Sequence, residues 1–185
     1  MEKHMRTAIL CVAASAGLFL GLSACSTAPK SNADRATLDS DSMSAMSKFR
    51  AGDSSLQGFL DRAYGYAVFP SVGKGAVGVG GAYGRGEVFE KGAMIGYCDL
   101  TQGSIGLQLG GQSYSELLVF ENKDALDRFT RGQLSFDAQA TAVALMSGAA
   151  ANAKFANGVA VFTMTNGGLM FEASIGGQHF TYEPK

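Results

Sequence analysis

Residues 76–87 read AVGVGGAYGRGE, and their alternation decides how the rest of this 185-residue chain is interpreted. The even positions are glycine or alanine, while the odd positions include valine, tyrosine, arginine and glutamate. Because successive side chains of a strand point to opposite faces, the pattern predicts a strand with one nearly bare face. Glycine weakens a strand and marks bulges, sharp coiling or the close approach of another body. We therefore expect either a helix or second layer packed on this face, or a flat surface for lipid or another ligand.

Alternation with a period of two extends along most of the chain beyond residue 64. It starts with residues 65–70 (GYAVFP), and 14 of the 25 glycines lie between residues 65 and 111. The alanine-rich stretch 136–146 also alternates, which favours a strand over a helix. Residues 158–164 and 169–175 predict a closing hairpin, because the Asn-Gly pair between them supplies the positive φ angles of a type I′ turn.

Three helices are expected beside these strands. Apolar residues recur at near-helical spacing over 38–49 and over 56–63, which predicts two short amphipathic helices, with Asp53 or Ser54 as the N-cap of the second. A third helix is expected near Lys123–Thr130. The fold class is therefore α+β: a strongly coiled antiparallel sheet, or a two-layer sandwich, with small helices packed on it.

The amino-terminal residues 1–24 have the pattern of a secretory leader. Lys3 and Arg6 precede an apolar run too short to span a membrane, and Leu22-Ser23-Ala24-Cys25 follows as a lipobox. Cleavage before Cys25 would leave that cysteine as the acylated, palmitate-bearing end of a lipoprotein. An ordinary signal peptide with Cys25 near its cut is the alternative. Ser26 in place of aspartate favours the periplasmic face of the outer membrane.

Composition indicates one domain behind this leader. Residues 25–36 comprise the lipidated cysteine and a small polar stretch expected to be a flexible tether, and 37–185 is of single-domain length. The chain is close to neutral, with a formal net charge of −1, and nothing suggests a nucleic-acid partner. Since Cys11 leaves with the leader and Cys25 is expected to be a lipid-bearing thioether, Cys98 has no intramolecular partner and is expected to be a small buried hydrophobic residue.

The chain lacks the residue patterns of common catalytic and metal sites. His4 and His179 are its two histidines, and His4 leaves with the leader, so no histidine pair can bind zinc. No Gly-x-Ser-x-Gly elbow is present, and the glycines of residues 78–84 lie inside a strand pattern instead of opening a helix. We predict a protein that is not an enzyme and uses no cofactor or metal.

The order of segments resembles the SYLF domain family. The resemblance rests on 63–72 (AYGYAVFPSV), the glycine-rich strand 74–86, 96–99 (GYCD), 103–112 (GSIGLQLGGQ) and the Gly-Gly-Leu at 167–169. It covers residues 38–182 and implies the bacterial, lipid-binding lipoprotein branch of that family. Eukaryotic members bind phosphoinositide-containing membranes and, in some cases, actin.

The leading hypothesis is a membrane-anchored lipoprotein whose domain contacts anionic phospholipid. The candidate contacts are Lys74, Arg85 and Lys91, because they cluster in sequence around one glycine-rich hairpin. The alternative is an envelope scaffold or stress-related structural lipoprotein that binds another protein. A membrane-inserting glycine zipper is a weaker third hypothesis, since tyrosine and charge interrupt every apolar run of the mature chain.

Overall fold

The computed structural model describes residues 26–77, 79–105, 112–136, 141–144, 146–165 and 173–185. Within these ranges the chain is an α+β domain, as its sequence predicts. The helices are α1 Asn32–Gly52, α2 Leu56–Leu60 and α3 Lys123–Thr130, with a short 3₁₀ helix at Ala150–Asn152. The strands are β1 Gly65–Val77, β2 Val79–Glu90, β3 Ala93–Ile105, β4 Gln112–Phe120, β5 Thr141–Ala144, β6 Val159–Thr165, β7 Ala173–Ser174 and β8 Gln178–Pro184.

The strands form one strongly curled sheet in the order β7-β5-β6-β4-β1-β2-β3-β8. Every described pairing is antiparallel except that of β5 with β6. Gln178 of β8 donates a hydrogen bond of 3.0 Å to Glu116 of β4, although three strands lie between these two in the sheet. Strands so far apart can meet only if the sheet coils through a large angle, which agrees with the coiled-sheet expectation.

At Gly84 and Gly86, the bare face of β2 lies close against its neighbour β1. A Cβ atom on Gly84 would lie 2.8 Å from Val72 Cγ2, and one on Gly86 would meet the Val68 carbonyl oxygen and lie 2.8 Å from Phe69 Cδ1. The β1–β2 register shifts between Val68 and Ser71, and such an irregularity increases the local twist. At these two glycines the nearest atoms therefore belong to the adjacent strand, and not to the helix or second layer expected from the sequence.

Apolar side chains fill both faces of the curled sheet. On the concave face, Phe129 of α3 lies 5.1 Å from Phe120 and 5.2 Å from Phe180, measured between ring centroids. On the convex face, Phe59 of α2 packs on Phe162 at 5.4 Å, and Phe49 of α1 is fully buried in the same cluster. Each aromatic pair adds roughly 0.5–1.5 kcal/mol beyond its buried area, so both faces stabilise the domain.

The first helix is longer than predicted, and the expected tether is partly folded. Helix α1 begins at Asn32, and Ser31 caps it by accepting a hydrogen bond from the amide of Asp34. Thr27 and Ala28 are buried against the sheet. Small polar residues predicted a flexible tether up to residue 36, but the same residues also suit the capped start of a helix. The helix forms here because residues before it contact a strand that is distant in sequence.

Asp53 joins α1 and α2 to the 3₁₀ helix. Its carboxylate accepts hydrogen bonds from the Ser55 amide and hydroxyl, at 2.9 and 2.6 Å, and from the Ala150 amide at 2.7 Å. Ser55, and not the predicted Asp53 or Ser54, occupies the N-cap position of α2. The loop was therefore located correctly, while its capping residue was not.

The last third of the chain differs from its prediction in two places. The predicted strand 136–146 is described at Thr141–Ala144, and residues 137–140 and 145 lie outside the described part of the chain. In the predicted closing hairpin, β6 is confirmed, whereas its turn and residues 169–172 lie outside the described residues. The described end of the second strand, β7, pairs with β5 and not with β6.

Within the ranges that the structure describes, we find no helix with the length and hydropathy needed to cross a membrane.

Candidate functional site: a polar groove beside the amino-terminal segment

The three predicted lipid-contacting cations lie apart. Lys74 is the register partner of Ala82, whose side chain is buried in the core of the concave face, so Lys74 lies on that face. Arg85 is three residues beyond Ala82 in the same strand and therefore points to the opposite, convex face. Lys91 follows the end of β2, nine residues after Ala82, the register partner of Lys74. At 3.3 Å per residue, Lys91 and Lys74 are therefore roughly 30 Å apart along the strand direction. The structure does not form the predicted cluster, because sequence proximity around a hairpin specifies neither face nor end.

Lys91 has a local role in the turn between β2 and β3. It adopts a positive φ of 49°, and its ammonium group lies 4.9 Å from the centroid of the Tyr64 ring. The backbone amide of Lys91 donates to the Tyr64 carbonyl oxygen at 3.1 Å. These contacts attach the turn to the end of β1.

Arg85 is held in a compact set of polar contacts on the convex face. Its Nε lies 3.1 Å from Asp99 Oδ1, and its Nη2 lies 3.2 Å from the Tyr83 hydroxyl. The Tyr83 hydroxyl in turn donates to Asp99 Oδ1 at 3.0 Å. Partial burial disfavours the charge of Arg85, but the hydrogen bonds and electrostatic interactions with Asp99 and Tyr83 together outweigh it and raise the pKa of the guanidinium above its ordinary value. Arg85 therefore remains a cation in a fixed orientation.

The segment that follows Cys25 is attached to the last strand. Glu183 of β8 accepts hydrogen bonds from the Ser26 hydroxyl at 2.8 Å and from the Ala28 amide at 2.9 Å. The hydroxyls of Thr27 and Thr181 lie 3.0 Å apart. The backbone hydrogen bond from Ala28, and then that from Ser26, lower the pKa of Glu183. The chain immediately after residue 25 is thus held on β8.

A groove of about 460 Å³ lies between this segment and the Arg85 contacts. Two cations, one carboxylate, one phenol and several hydroxyls line it. Hydroxyl donors beside a fixed guanidinium suit the phosphate or polyol portion of a headgroup, since guanidinium recognises phosphate geometry and hydroxyls satisfy the remaining oxygens. The lining side chains that carry this chemistry are Ser26, Lys30, Tyr83, Arg85, Thr101 and Thr181.

A second groove, of about 490 Å³, lies between α1 and the ends of β1, β4 and β6. Its lining includes Asp41, Lys48, Ser71 and Met164. It holds a single cation together with a carboxylate, and it is not lined by the segment that follows Cys25. It is therefore less suited than the first groove to an anionic headgroup near the predicted anchor.

The described residues contain no group of three or more His, Cys, Asp or Glu side chains placed to hold a metal ion. His179 is exposed on β8. Cys98 is fully buried, as predicted, and burial raises the pKa of its thiol well above the usual range. A thiol that stays protonated is a poor nucleophile, so Cys98 is a packing residue.

A buried carboxylate on the concave face was missed by the sequence reasoning. Glu116 is fully buried in β4, and desolvation raises its pKa to about 7. A signal for it exists in the sequence: residues 114, 116, 118 and 120 read Y, E, L and F, so the period of two places this carboxylate on a core-facing stripe. A carboxylate on an apolar stripe indicates an internal polar site.

The fold and the groove define a curled-sheet α+β domain with a polar surface site near its amino-terminal segment. Residues 101–184 match the family model Ysc84, described as Las17-binding protein actin regulator. This match confirms the resemblance to the SYLF family seen in the sequence. Domains of this family are known for binding lipid and are generally not enzymes. Strands β1 and β2 precede the matched residues but pair with β3 and β4, so the folded unit extends beyond the match.

A curated relative, Beta cell expansion factor A of Aeromonas veronii, is 29% identical over 122 residues. The match covers 65% of this chain and 46% of that protein. The chain thus spans less than half the length of this relative.

Proposed function

We propose that this chain is a lipid-anchored envelope protein whose SYLF domain contacts anionic phospholipid through the groove that holds Arg85 and Lys30. One observation carries the proposal: the segment directly after Cys25 forms a wall of that groove. If Cys25 is acylated, as Leu22-Ser23-Ala24-Cys25 predicts, the anchor enters the bilayer beside the groove. The two cations then lie where lipid headgroups are.

Weak contact is sufficient in this arrangement. A cation near an anionic membrane surface contributes about 1 kcal/mol, so Lys30 and Arg85 alone would give only weak binding. An acyl chain on Cys25 would raise the local concentration of headgroups and make docking intramolecular. Because the chain as a whole is slightly acidic, the attraction is local to the groove.

Lys74 and Lys91 are the weaker candidates of the original three. Lys74 lies on the concave face near Glu116, and Lys91 packs on Tyr64 at the far end of β2. Neither lines the groove, so one flat membrane cannot engage all three cations in the same orientation. Lys91 is therefore suitable as a control position.

The groove is tested with a chain that starts at Ser26 and so lacks the predicted anchor. Its co-sedimentation with phosphatidylglycerol-containing vesicles is measured at low and moderate salt, with pure phosphatidylcholine vesicles for comparison. We expect binding that needs the anionic lipid, falls with salt, and decreases severalfold in the double variant Lys30→Gln, Arg85→Gln. The charge-matched control is Lys91→Gln, Lys154→Gln, because neither residue lines the groove.

The two double variants should differ clearly in their binding to anionic vesicles. Equal loss in both would show that total charge matters and the groove does not. If the wild-type chain does not sediment with anionic vesicles at all, the envelope-scaffold function replaces lipid contact, and a co-purifying protein is then the partner to identify.

The anchor is tested separately in the full chain. Cys25→Ser should abolish metabolic labelling with palmitate and release the protein from the outer-membrane fraction. Labelling that persists in this variant would exclude the lipobox, and the outer-membrane placement based on Ser26 would then lose its basis.

A further inference from the structure

The concave face carries a polar centre that the proposed lipid contact does not use. Glu116 of β4 is fully buried and Gln178 of β8 is 1% exposed. Gln178 Nε2 donates to Glu116 Oε2 at 3.0 Å, and the Tyr114 side chain hydrogen-bonds to the same carboxylate. Two strands that are not neighbours in the sheet, β4 and β8, therefore meet at one carboxylate.

Three oxygen atoms at this centre have no hydrogen-bond partner within the described part of the chain. They are Glu116 Oε1, Gln178 Oε1 and Thr163 Oγ1. Thr163 of β6 stands directly opposite Glu116 in the β4–β6 register, so their Cβ atoms are about 5 Å apart on the same face. Native proteins rarely leave buried polar atoms unsatisfied, and an unpaired carboxylate oxygen with two more unpaired oxygens beside it indicates an occupant.

The chemistry of these atoms restricts what the occupant can be. A carboxylate, an amide carbonyl and a hydroxyl are all hard oxygen donors, which suit alkali and alkaline-earth cations and not the softer metals bound by sulfur or imidazole. The centre supplies one negative charge, and the ammonium of Lys74 acts on Glu116 from β1. A monovalent cation neutralises the carboxylate itself, whereas a divalent ion would add a second positive charge beside that of Lys74 and leave a larger excess in the core.

We propose that Glu116, Gln178 and Thr163 form a buried binding site for one alkali-metal cation, Na⁺ or K⁺. The cation would bridge β4, β6 and β8, strands that do not all pair with one another. Because it binds the curled sheet and not the unfolded chain, it would stabilise the curl in proportion to its concentration.

Thermal unfolding of the full chain, purified in a neutral detergent, tests this site. The melting temperature is measured at pH 8 in matched concentrations of NaCl, KCl and choline chloride, since choline keeps the ionic strength but is too large to enter. Burial raises the pKa of Glu116 to about 7, so the carboxylate is mostly ionised at pH 8. At ten times the dissociation constant, Na⁺ or K⁺ should raise Tm by about 3–6 °C over choline.

Two variants locate the effect. Glu116→Gln keeps the size of the side chain and mimics its protonated form, so the protein should fold while the difference between salts disappears. Glu121→Gln, at an exposed position just after β4, is the matched control and should retain the wild-type response. A response that survives in Glu116→Gln would place the cation elsewhere and overturn the proposal.

A measurement on the wild-type chain keeps the test independent of the variants. At pH 5 the Glu116 carboxylate is mostly protonated and the cation should lose its effect. Equal melting temperatures in all three salts at pH 8 would show that no alkali cation binds this centre and would overturn the proposal. The same Na⁺ or K⁺ stabilisation at pH 5 as at pH 8 would also exclude a site built on Glu116.

Discussion

At the scale of single residues, Glu116 is the side chain whose surroundings most change its chemistry. Desolvation raises its pKa to about 7, while the hydrogen bonds from Gln178 and Tyr114 and the charge of Lys74 act in the opposite direction. The unfolded chain has an ordinary glutamate pKa near 4.5. The native state therefore holds a proton more tightly than the unfolded state over the interval between these two values.

This difference predicts how stability depends on pH. The stabilisation from the Glu116 proton is complete below pH 4.5 and is lost as the pH rises through 7, by an amount on the order of 3 kcal/mol. Urea unfolding of the wild type in choline chloride, at steps from pH 4.5 to 8, measures this fall. Glu116→Gln should flatten the profile over that interval, and an unchanged slope in this variant would assign the pH dependence to other groups.

At the scale of elements, the pairing of β1 with β2 depends on glycines that leave room for the neighbouring strand. Gly84 and Gly86 both face the irregular part of β1, where the register shifts. Gly103 in β3 differs, because a Cβ placed there would meet no atom within 4 Å. The chain thus contains strand glycines that are needed for close approach and at least one that is not.

Gly86→Ala should therefore destabilise the domain by about 1–3 kcal/mol, because the added methyl group collides with the Val68 carbonyl and the Phe69 ring. Gly103→Ala is the control and should be neutral or slightly stabilising, since alanine costs less backbone entropy than glycine. Chemical unfolding of both variants measures the change in their free energy of unfolding. Equal effects at the two positions would mean that β1 can move away from β2 without cost.

The pairing of β2 with β3 also controls the groove. Arg85 and Asp99 are register partners, so the strands themselves place a carboxylate against the guanidinium. That carboxylate competes with any anionic ligand for Arg85. In the proposed lipid contact, Asp99 is then an attenuating residue.

Asp99→Asn should strengthen binding to anionic vesicles by about fivefold, which corresponds to roughly one charge near the membrane surface. The comparison is Asp124→Asn, which makes the same change of net charge at an exposed position on α3. Co-sedimentation at low salt measures both. If Asp124→Asn gains as much as Asp99→Asn, the gain is a net-charge effect and the pairing with Arg85 has no special influence.

At the scale of the whole molecule, the two ends of the described chain hold each other. Ser26 and Ala28 bind Glu183, which lies 157 and 155 residues further along the sequence. The start of the domain is thus fixed on an outer strand of the sheet, beside the groove. Ser26, the first described residue, and the proposed headgroup contact therefore lie on the same side of the molecule.

Glu183→Ala should release this segment while leaving the sheet folded, because the carboxylate lies on the surface of β8. Hydrogen exchange of the Ala28 amide, which Glu183 protects in the wild type, is expected to accelerate toward the rate of an open chain. Glu121→Ala, an exposed change elsewhere, should leave it unaltered. Continued protection of Ala28 in Glu183→Ala would show that burial of Thr27 and Ala28 alone holds the segment.

Much of the architecture was predictable, because it depends on local periodicity. The alternation in β1, β2 and β6 and the helical spacing around Phe49 and Phe129 identified those elements correctly. The boundaries were less accurate: α1 extends to Asn32, since Ser31 can cap a helix as readily as it can belong to a linker. Strand pairing was predicted least well: β7 was expected to pair with β6 in a hairpin, but its described residues pair with β5.

The candidate site was predictable only in part. Of the three cations proposed from the sequence, Arg85 lines the groove, whereas Lys74 lies on another face and Lys91 at another end. Lys30, which also lines the groove, was assigned to the tether. The face of the sheet on which a side chain lies depends on the strand register, and the register of β1 with β2 shifts between Val68 and Ser71. No pattern within the hairpin reveals that shift.

The sequence by itself determined the period-two strands, the bare face of β2 and the core-facing position of Glu116, because each depends on neighbours only a few residues away. Only the tertiary structure decided that β1 lies against that face at Gly84 and Gly86, that Gln178 reaches Glu116 and that Ala28 binds Glu183. These contacts depend on how far the sheet curls. Curl accumulates from the twist of every strand pair and from the register shifts in the β1 and β2–β3 pairings. It is therefore a property of the assembled sheet and of no single segment.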